Sequence, residues 1–164
     1  AFNFREFFRV NDSGEFMHKH DVAAFLDLLC RKESQSAYPF SNDTYRDIFR
    51  HTLWMIPGVK SALALQRMLE RHPVFQHFTV VNVAGDGDPT EEENNEALSL
   101  LRSKIGNDPD RSRTITLSCG RLTTGVSVPE WTAVLCCRGR STLPRQDICR
   151  RYSACRPLPL STDV

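Results

Sequence analysis

The sequence predicts an α/β domain in which helices cover both faces of a mostly parallel sheet. Apolar runs typical of strands alternate along the chain with amphipathic stretches typical of helices. The strand runs are continuously apolar, as expected of parallel strands that are buried on both faces. At 164 residues, 40% of them hydrophobic, the chain is long enough to fold around a core without a metal or a disulfide.

The spacing of the apolar residues assigns the elements in order. Residues 2–16 are expected to be irregular or a short edge strand, and Asp21 suits the N-cap of the first helix. The predicted helices are 22–30, a short one from Ser41 or Asn42 to Arg50, 59–71 and 91–104. The predicted strands are 51–56, 77–84, 114–119 and 131–136.

Composition changes abruptly near residue 136. The whole chain has 21 basic and 20 acidic residues, but residues 135–164 hold six Arg and two acids, a net of +4. Residues 1–134 therefore hold 15 basic and 18 acidic groups, a net of −3. Four of the six cysteines lie in the same C-terminal stretch: Cys136, Cys137, Cys149 and Cys155. We therefore divide the chain into a domain, 1–136, and an Arg- and Cys-rich tail, 137–164.

The sequence lacks the motifs of several common nucleotide-binding and metal-binding sites. It contains neither the Gly-x-x-x-x-Gly-Lys-Ser/Thr loop nor a Gly-x-Gly-x-x-Gly turn after a strand. The Gly85-Asp-Gly-Asp turn could serve a nucleotide or a metal, but a polar turn is the simpler interpretation. His18, His20 and Asp21 have no partner pair at metal-site spacing, and the late cysteines lack Cys-x-x-Cys pairs. We therefore expect no metal site and assign no catalytic residue.

The most informative segment follows the third predicted strand, where a loop with two hydroxyl residues and a glycine leads into the fourth. Residues 122–131 read Leu-Thr-Thr-Gly-Val-Ser-Val-Pro-Glu-Trp. This string resembles motif V of the second RecA-like domain of superfamily 2 helicases and translocases, most closely that of restriction-type DNA translocases. Residues 51–58, His-Thr-Leu-Trp-Met-Ile-Pro-Gly, resemble the strand and turn of motif IV. The resemblance covers roughly residues 2–135.

The resemblance implies a RecA-like three-layer fold and a role as the second motor lobe of an ATP-dependent DNA translocase. ATP and Mg²⁺ would be bound jointly with an N-terminal RecA-like lobe, and a nuclease or a methyltransferase could accompany the motor. Contacts with the DNA backbone are implied for Pro57, Gly58, Arg121, Thr123 and Thr124. Gly125 and Ser127 would face ATP across the cleft, although many family members carry an acid where Ser127 stands. Hydroxyls and backbone N–H groups at a strand end can indeed hold phosphates without reading bases.

Motif VI of this family, whose arginine reaches the ATP phosphates, reads approximately Tyr-Met-Gln-Thr-x-Phe-Arg-x-Gln-x-Pro and is absent here. One allowed choice of codons for residues 147–157, read from the third base of the Asp147 codon, spells Tyr-Met-Gln-Thr-Val-Phe-Arg-Val-Gln-Thr-Pro. We therefore expect a frameshift between about Leu135 and Gln146, in the gene or in its sequencing. The tail would then be out of frame or disordered, and Arg150, Arg151 and Arg156 cannot take the role of the arginine finger. A natively basic tail is the alternative.

Two other functions remain open from the sequence. The chain could be a nucleic-acid-binding module without ATPase activity, or a non-functional truncated fragment. The first residue is not Met, which agrees with an internal fragment, and the chain alone is expected to be inactive as an ATPase. No signal segment opens the sequence, and its apolar runs are far shorter than the ~20 residues of a membrane span. A cytoplasmic location without membrane contact is therefore expected.

Overall fold

A computed structural model describes residues 2–32 and 38–138 of the chain. Four strands form its sheet: β1 (His51–Met55), β2 (Thr79–Asn82), β3 (Thr114–Ser118) and β4 (Ala133–Cys136). In the described ranges the strand order is β2-β3-β1-β4, and each neighbouring pair is parallel. The helices are α1 (Phe4–Phe7), α2 (Lys19–Leu29), α3 (Asp43–Ile48), α4 (Val59–Arg71) and α5 (Glu91–Ile105). Two short 3-10 helices span Phe75–His77 and Pro109–Arg111.

Alternate residues of the central strand β1 pack on opposite faces of the sheet. Trp54 is buried in one cluster with Leu65 of α4 and with residues of α2, whereas Met55 is buried in a second cluster with Leu101 of α5. Helices therefore cover both faces, because a strand with two apolar faces needs a layer on each side. The predicted fold class, a RecA-like three-layer α/β domain with a parallel sheet, is confirmed.

Helix boundaries follow from local chemistry in most places. The Asn42 side chain accepts a hydrogen bond from the Tyr45 N–H and caps α3, which confirms one of the two predicted caps. Helix α4 occupies the predicted range. Helix α2 begins earlier than predicted, at Lys19 with His18 in the N-cap position, so Asp21 lies in the first turn. The prediction of Asp21 as N-cap is therefore wrong, although its charge still suits the positive end of the helix dipole.

The two ends of the domain differ from the sequence-based assignment. The N-terminal stretch, expected to be irregular or a short edge strand, forms the short helix α1 and an isolated bridge between Val10 and Phe16, with turns between them. Cys137, one residue beyond the expected boundary at 136, is buried and its N–H donates to the Met55 carbonyl at 2.8 Å. Residues 139–164, which hold most of the tail and most of the range expected for the frameshift, lie outside the described residues.

The carboxyl ends of all four strands lie at one edge of the sheet, because the strands are parallel. We call this the carboxyl edge. The turn Pro57-Gly58 leaves it after β1, the Gly85-Asp-Gly-Asp turn after β2, and the loop 119–132 after β3. In parallel α/β sheets this edge is the usual place for ligand binding.

Candidate functional site

The structure brings both predicted DNA-contacting segments to the carboxyl edge. Pro57 and Gly58 follow β1, and Arg121 follows β3, the neighbouring strand. The two strand ends are joined by a hydrogen bond of 2.8 Å from the Ile56 N–H to the Ser118 carbonyl. Segments that are far apart in the sequence thus begin side by side.

The first half of the loop after β3 is held by its own hydrogen bonds. The Ser118 hydroxyl accepts from the Gly120 N–H at 3.1 Å and donates to the Arg121 carbonyl at 2.5 Å. The Thr123 hydroxyl donates to the Gly120 carbonyl at 2.6 Å, so it is left to act only as an acceptor. Thr124 is exposed, and its hydroxyl makes no hydrogen bond to any residue that the structure describes. Thr124 is therefore the hydroxyl best placed to bind a ligand.

A buried anchor fixes this half of the loop to α5. Leu122 adopts a left-handed backbone conformation, with φ of 63°, which places its side chain in the core. Its N–H donates to the Asn94 side chain at 2.9 Å. A non-glycine residue in this conformation is uncommon and is tolerated only where the surroundings hold it. The part-buried Thr123 and the exposed Thr124 consequently follow a residue that is fixed in the core.

Arg121 is engaged within the domain. Its guanidinium donates to Glu93 Oε1 at 2.8 Å and lies over Gly85, where a Cβ would be 2.6 Å from Arg121 Cζ. The Thr90 N–H and the Arg121 guanidinium hold the pKa of Glu93 below its usual range. The Arg121 side chain thus packs against the turn at Gly85. A DNA phosphate would have to compete with Glu93 for the Arg121 guanidinium.

The second half of the loop crosses the face of the sheet beside α5. The Ser127 carbonyl accepts from the Arg102 guanidinium at 3.5 Å, and Arg102 also pairs with Glu130. Arg102 lies in the last turn of α5, which runs away from the carboxyl edge. The structure therefore places Ser127 apart from Pro57 and Gly58, which lead into α4 on the opposite face.

Gly125 lies between these two halves and is exposed. Its φ is 69°, a left-handed conformation that favours glycine, and nothing lies within 4 Å of the position that a Cβ would take. The glycine is thus required by the turn of the backbone and not by close approach to another part of this domain. The open space beside it leaves room for a ligand or a second domain.

Charges on the carboxyl edge are unevenly distributed. Asp86, Asp88, Glu91 and Glu92 are exposed around the start of α5. These carboxylates disfavour the approach of an anion to this part of the edge. The sequence analysis did not predict the roles of Gly85 and Arg102. For Gly85 the sequence held a signal, a glycine directly after an apolar strand.

The remaining predicted features are placed as follows. His18 Nε2 lies 3.3 Å from Glu6 Oε1, and His18 Nδ1 lies 3.9 Å from Asp21 Oδ2, while His20 is exposed. Across residues 2–32 and 38–138, no three His, Cys, Asp or Glu side chains are grouped so as to hold a metal ion. In the same ranges no helix has the length and apolarity needed to cross a bilayer.

Comparisons of the chain with protein-family models, with curated proteins and with solved structures found no match.

Proposed function

We propose that this chain is the second motor lobe of an ATP-dependent DNA translocase or helicase of a restriction-modification-like system. One observation carries the proposal: the loop that resembles motif V leaves β3 beside the turn that resembles motif IV, with Thr124 exposed. Exposed hydroxyls and backbone N–H groups at this position suit a phosphodiester backbone, which is recognised without reading bases.

The residues of this chain fit only one side of an ATP site. Gly125 offers an open backbone and Ser127 an exposed hydroxyl, but the sequence has no lysine-bearing phosphate loop. ATP and Mg²⁺ would therefore be held mainly by an N-terminal RecA-like lobe, with Gly125 and Ser127 lining the facing wall. When bound, the nucleotide supplies the phosphoryl transfer that drives lobe closure and opening. A nuclease or methyltransferase partner and a cytoplasmic location belong to the same proposal.

The test is duplex DNA binding by the purified chain, measured by fluorescence anisotropy, with Thr124→Ala as the variant. Loss of one hydrogen bond to a phosphate is worth about 1–1.5 kcal/mol, so we expect affinity to fall about fivefold to tenfold. Thr44→Ala is the matched control, because Thr44 is an exposed threonine on α3 with no side-chain hydrogen bond in the described residues. It should leave affinity unchanged.

Equal affinity of wild type and Thr124→Ala, or no binding by either, contradicts the assignment of the loop. Binding that depends on Thr124 but does not respond to ATP when a cognate N-terminal lobe is supplied would favour a binding module without motor activity. Stimulation of binding or of phosphate release by the added lobe would support the motor.

A further inference from the structure

A groove of about 750 Å³ lies on the face of the domain opposite the loop 119–132. One wall is the second half of α4, and the other is the turn 11–16 together with the start of α2. Its lining includes Gly14, Phe16, Lys19, Ala64, Arg67 and Arg71. Its size is that of a ligand-binding cleft.

The groove is lined by three basic side chains and one acidic one, Glu15, on a domain whose first 134 residues are net negative. Arg67 and Arg71 are exposed, and neither has an ion pair or a side-chain hydrogen bond to any described residue. Lys19 also lines the groove, and its Nζ lies 3.4 Å from Glu15 Oε1. His72 lies at the end of the groove, where its Nε2 is 2.9 Å from Asp27 Oδ1. Two like charges four residues apart destabilise a helix slightly.

Hydrogen bonds within the turn 11–16 hold one wall of the groove in place without a ligand. The Asn11 side chain accepts from the Ser13 N–H at 2.9 Å and from the Glu15 N–H at 3.0 Å, which holds the turn. Arg67 reaches across to this turn, since a Cβ at Gly14 would lie 3.4 Å from Arg67 Nη1. A pre-formed wall lowers the entropic cost of binding.

The basic row extends along α4 to the carboxyl edge. Lys60, Arg67 and Arg71 are spaced by seven and four residues, so they lie on one face of the helix. Lys60 is exposed and follows Pro57-Gly58 almost directly. From Lys60 to Arg71 the helix rises about 16 Å, which is longer than a single phosphate group. Such a row suits an extended polyanion better than a single small anion.

We propose that the groove and the basic row of α4 bind the phosphodiester backbone of DNA as a second anchor, continuous with the turn Pro57-Gly58. This inference rests on the proposed function, since it takes DNA as the partner. It adds a contact surface, Lys60, Arg67, Arg71 and Lys19, that neither motif-like segment contains.

The test compares the salt dependence of duplex DNA binding by the full chain and by Arg67→Gln/Arg71→Gln. Each phosphate contact contributes about 0.9 to the slope of log affinity against log salt, so we expect the slope to fall by about 1.8. Arg67→Lys/Arg71→Lys should restore it. The matched control is Arg5→Gln/Lys104→Gln, which removes two exposed positive charges outside the groove and should leave the slope unchanged.

Thermal unfolding of each variant checks that it is folded. An unchanged slope in Arg67→Gln/Arg71→Gln, or an equal fall in the control, overturns the groove as a DNA anchor. If Thr124→Ala still weakens binding in that case, the proposed function stands without the groove. If instead the groove variant loses slope and Thr124→Ala has no effect, the groove stands and the motif V assignment fails. Absence of binding by the wild type overturns both.

Discussion

At the residue scale, His51 makes the stability of the domain depend on pH. It is buried at the start of β1, where Nε2 lies 2.8 Å from the Pro109 carbonyl and Nδ1 lies 2.8 Å from the Thr114 hydroxyl. A carbonyl only accepts, so Nε2 carries the proton and Nδ1 accepts from Thr114, which is the neutral imidazole. Burial lowers the pKa of His51 below its ordinary value of 6.5.

We therefore expect the free energy of unfolding to fall as pH drops below about 6.5, because the unfolded chain then binds a proton that the folded chain excludes. Above that pH the contribution is fully present. His51→Gln should destabilise the domain by about 1–3 kcal/mol at neutral pH, with a deficit that narrows towards pH 5. Denaturant unfolding at three pH values measures the free energy of unfolding of the wild type and of His51→Gln. His77→Gln, at an exposed histidine, is the control, and parallel pH curves for wild type and His51→Gln would refute the assignment.

Single residues also show what the sequence could reveal about the site. The residue types in the segment after β3 predict a loop. The left-handed conformation of Gly125 and the exposure of Thr124 agree with that prediction. The engagement of Arg121 by Glu93 and Gly85 was not predictable, because these partners are 28 and 36 positions away. Packing in three dimensions decides such contacts, and no local pattern records them.

At the element scale, the start of α5 supports the candidate site. The Thr90 hydroxyl accepts from the Glu93 N–H at 3.2 Å, and Glu93 Oε2 accepts from the Thr90 N–H at 2.9 Å, which makes a capping box. The same Glu93 binds Arg121 with its other oxygen. The helix cap and the loop after β3 are therefore held by one carboxylate.

We expect Thr90→Ala to lower the free energy of unfolding by about 1 kcal/mol, the usual worth of an N-cap. Thr44→Ala, in the first turn of the short helix α3 and without a capping role, should have a smaller effect. Denaturant titration of both variants at neutral pH makes the comparison. Equal midpoints for the two would show that the box adds no stability.

Elements were predicted well where the apolar spacing is long and regular, as in α4, and less well where tertiary contacts intervene. The fourth strand starts at Ala133 and not at the predicted Trp131, because the Trp131 N–H donates to the Val128 carbonyl and so belongs to the preceding turn. The groove beside α4 could not be foreseen, since Lys19 and Arg71 meet only after α2 and α4 pack together. The sequence did contain one signal, a row of basic residues at helical spacing in α4.

At the scale of the whole molecule, the sequence contains no Gly-x-x-x-x-Gly-Lys-Ser/Thr phosphate loop. Catalysis of phosphoryl transfer needs groups that cradle the phosphates and hold Mg²⁺, in addition to a facing wall. We therefore expect the purified chain to release no phosphate from ATP above background, with or without duplex DNA. A coupled phosphate-release assay over a range of protein concentrations measures this.

A contaminating ATPase is the main source of a false signal in that assay. Thr124→Ala, purified in the same way, is the control for it, since a contaminant would give both preparations the same rate. Hydrolysis that scales with the chain, requires DNA and disappears in Thr124→Ala would contradict the expectation and show a complete active site in this chain. Hydrolysis that arises only when a cognate N-terminal lobe is added would instead assign the phosphate-binding groups to that lobe, as the proposed division of the motor requires.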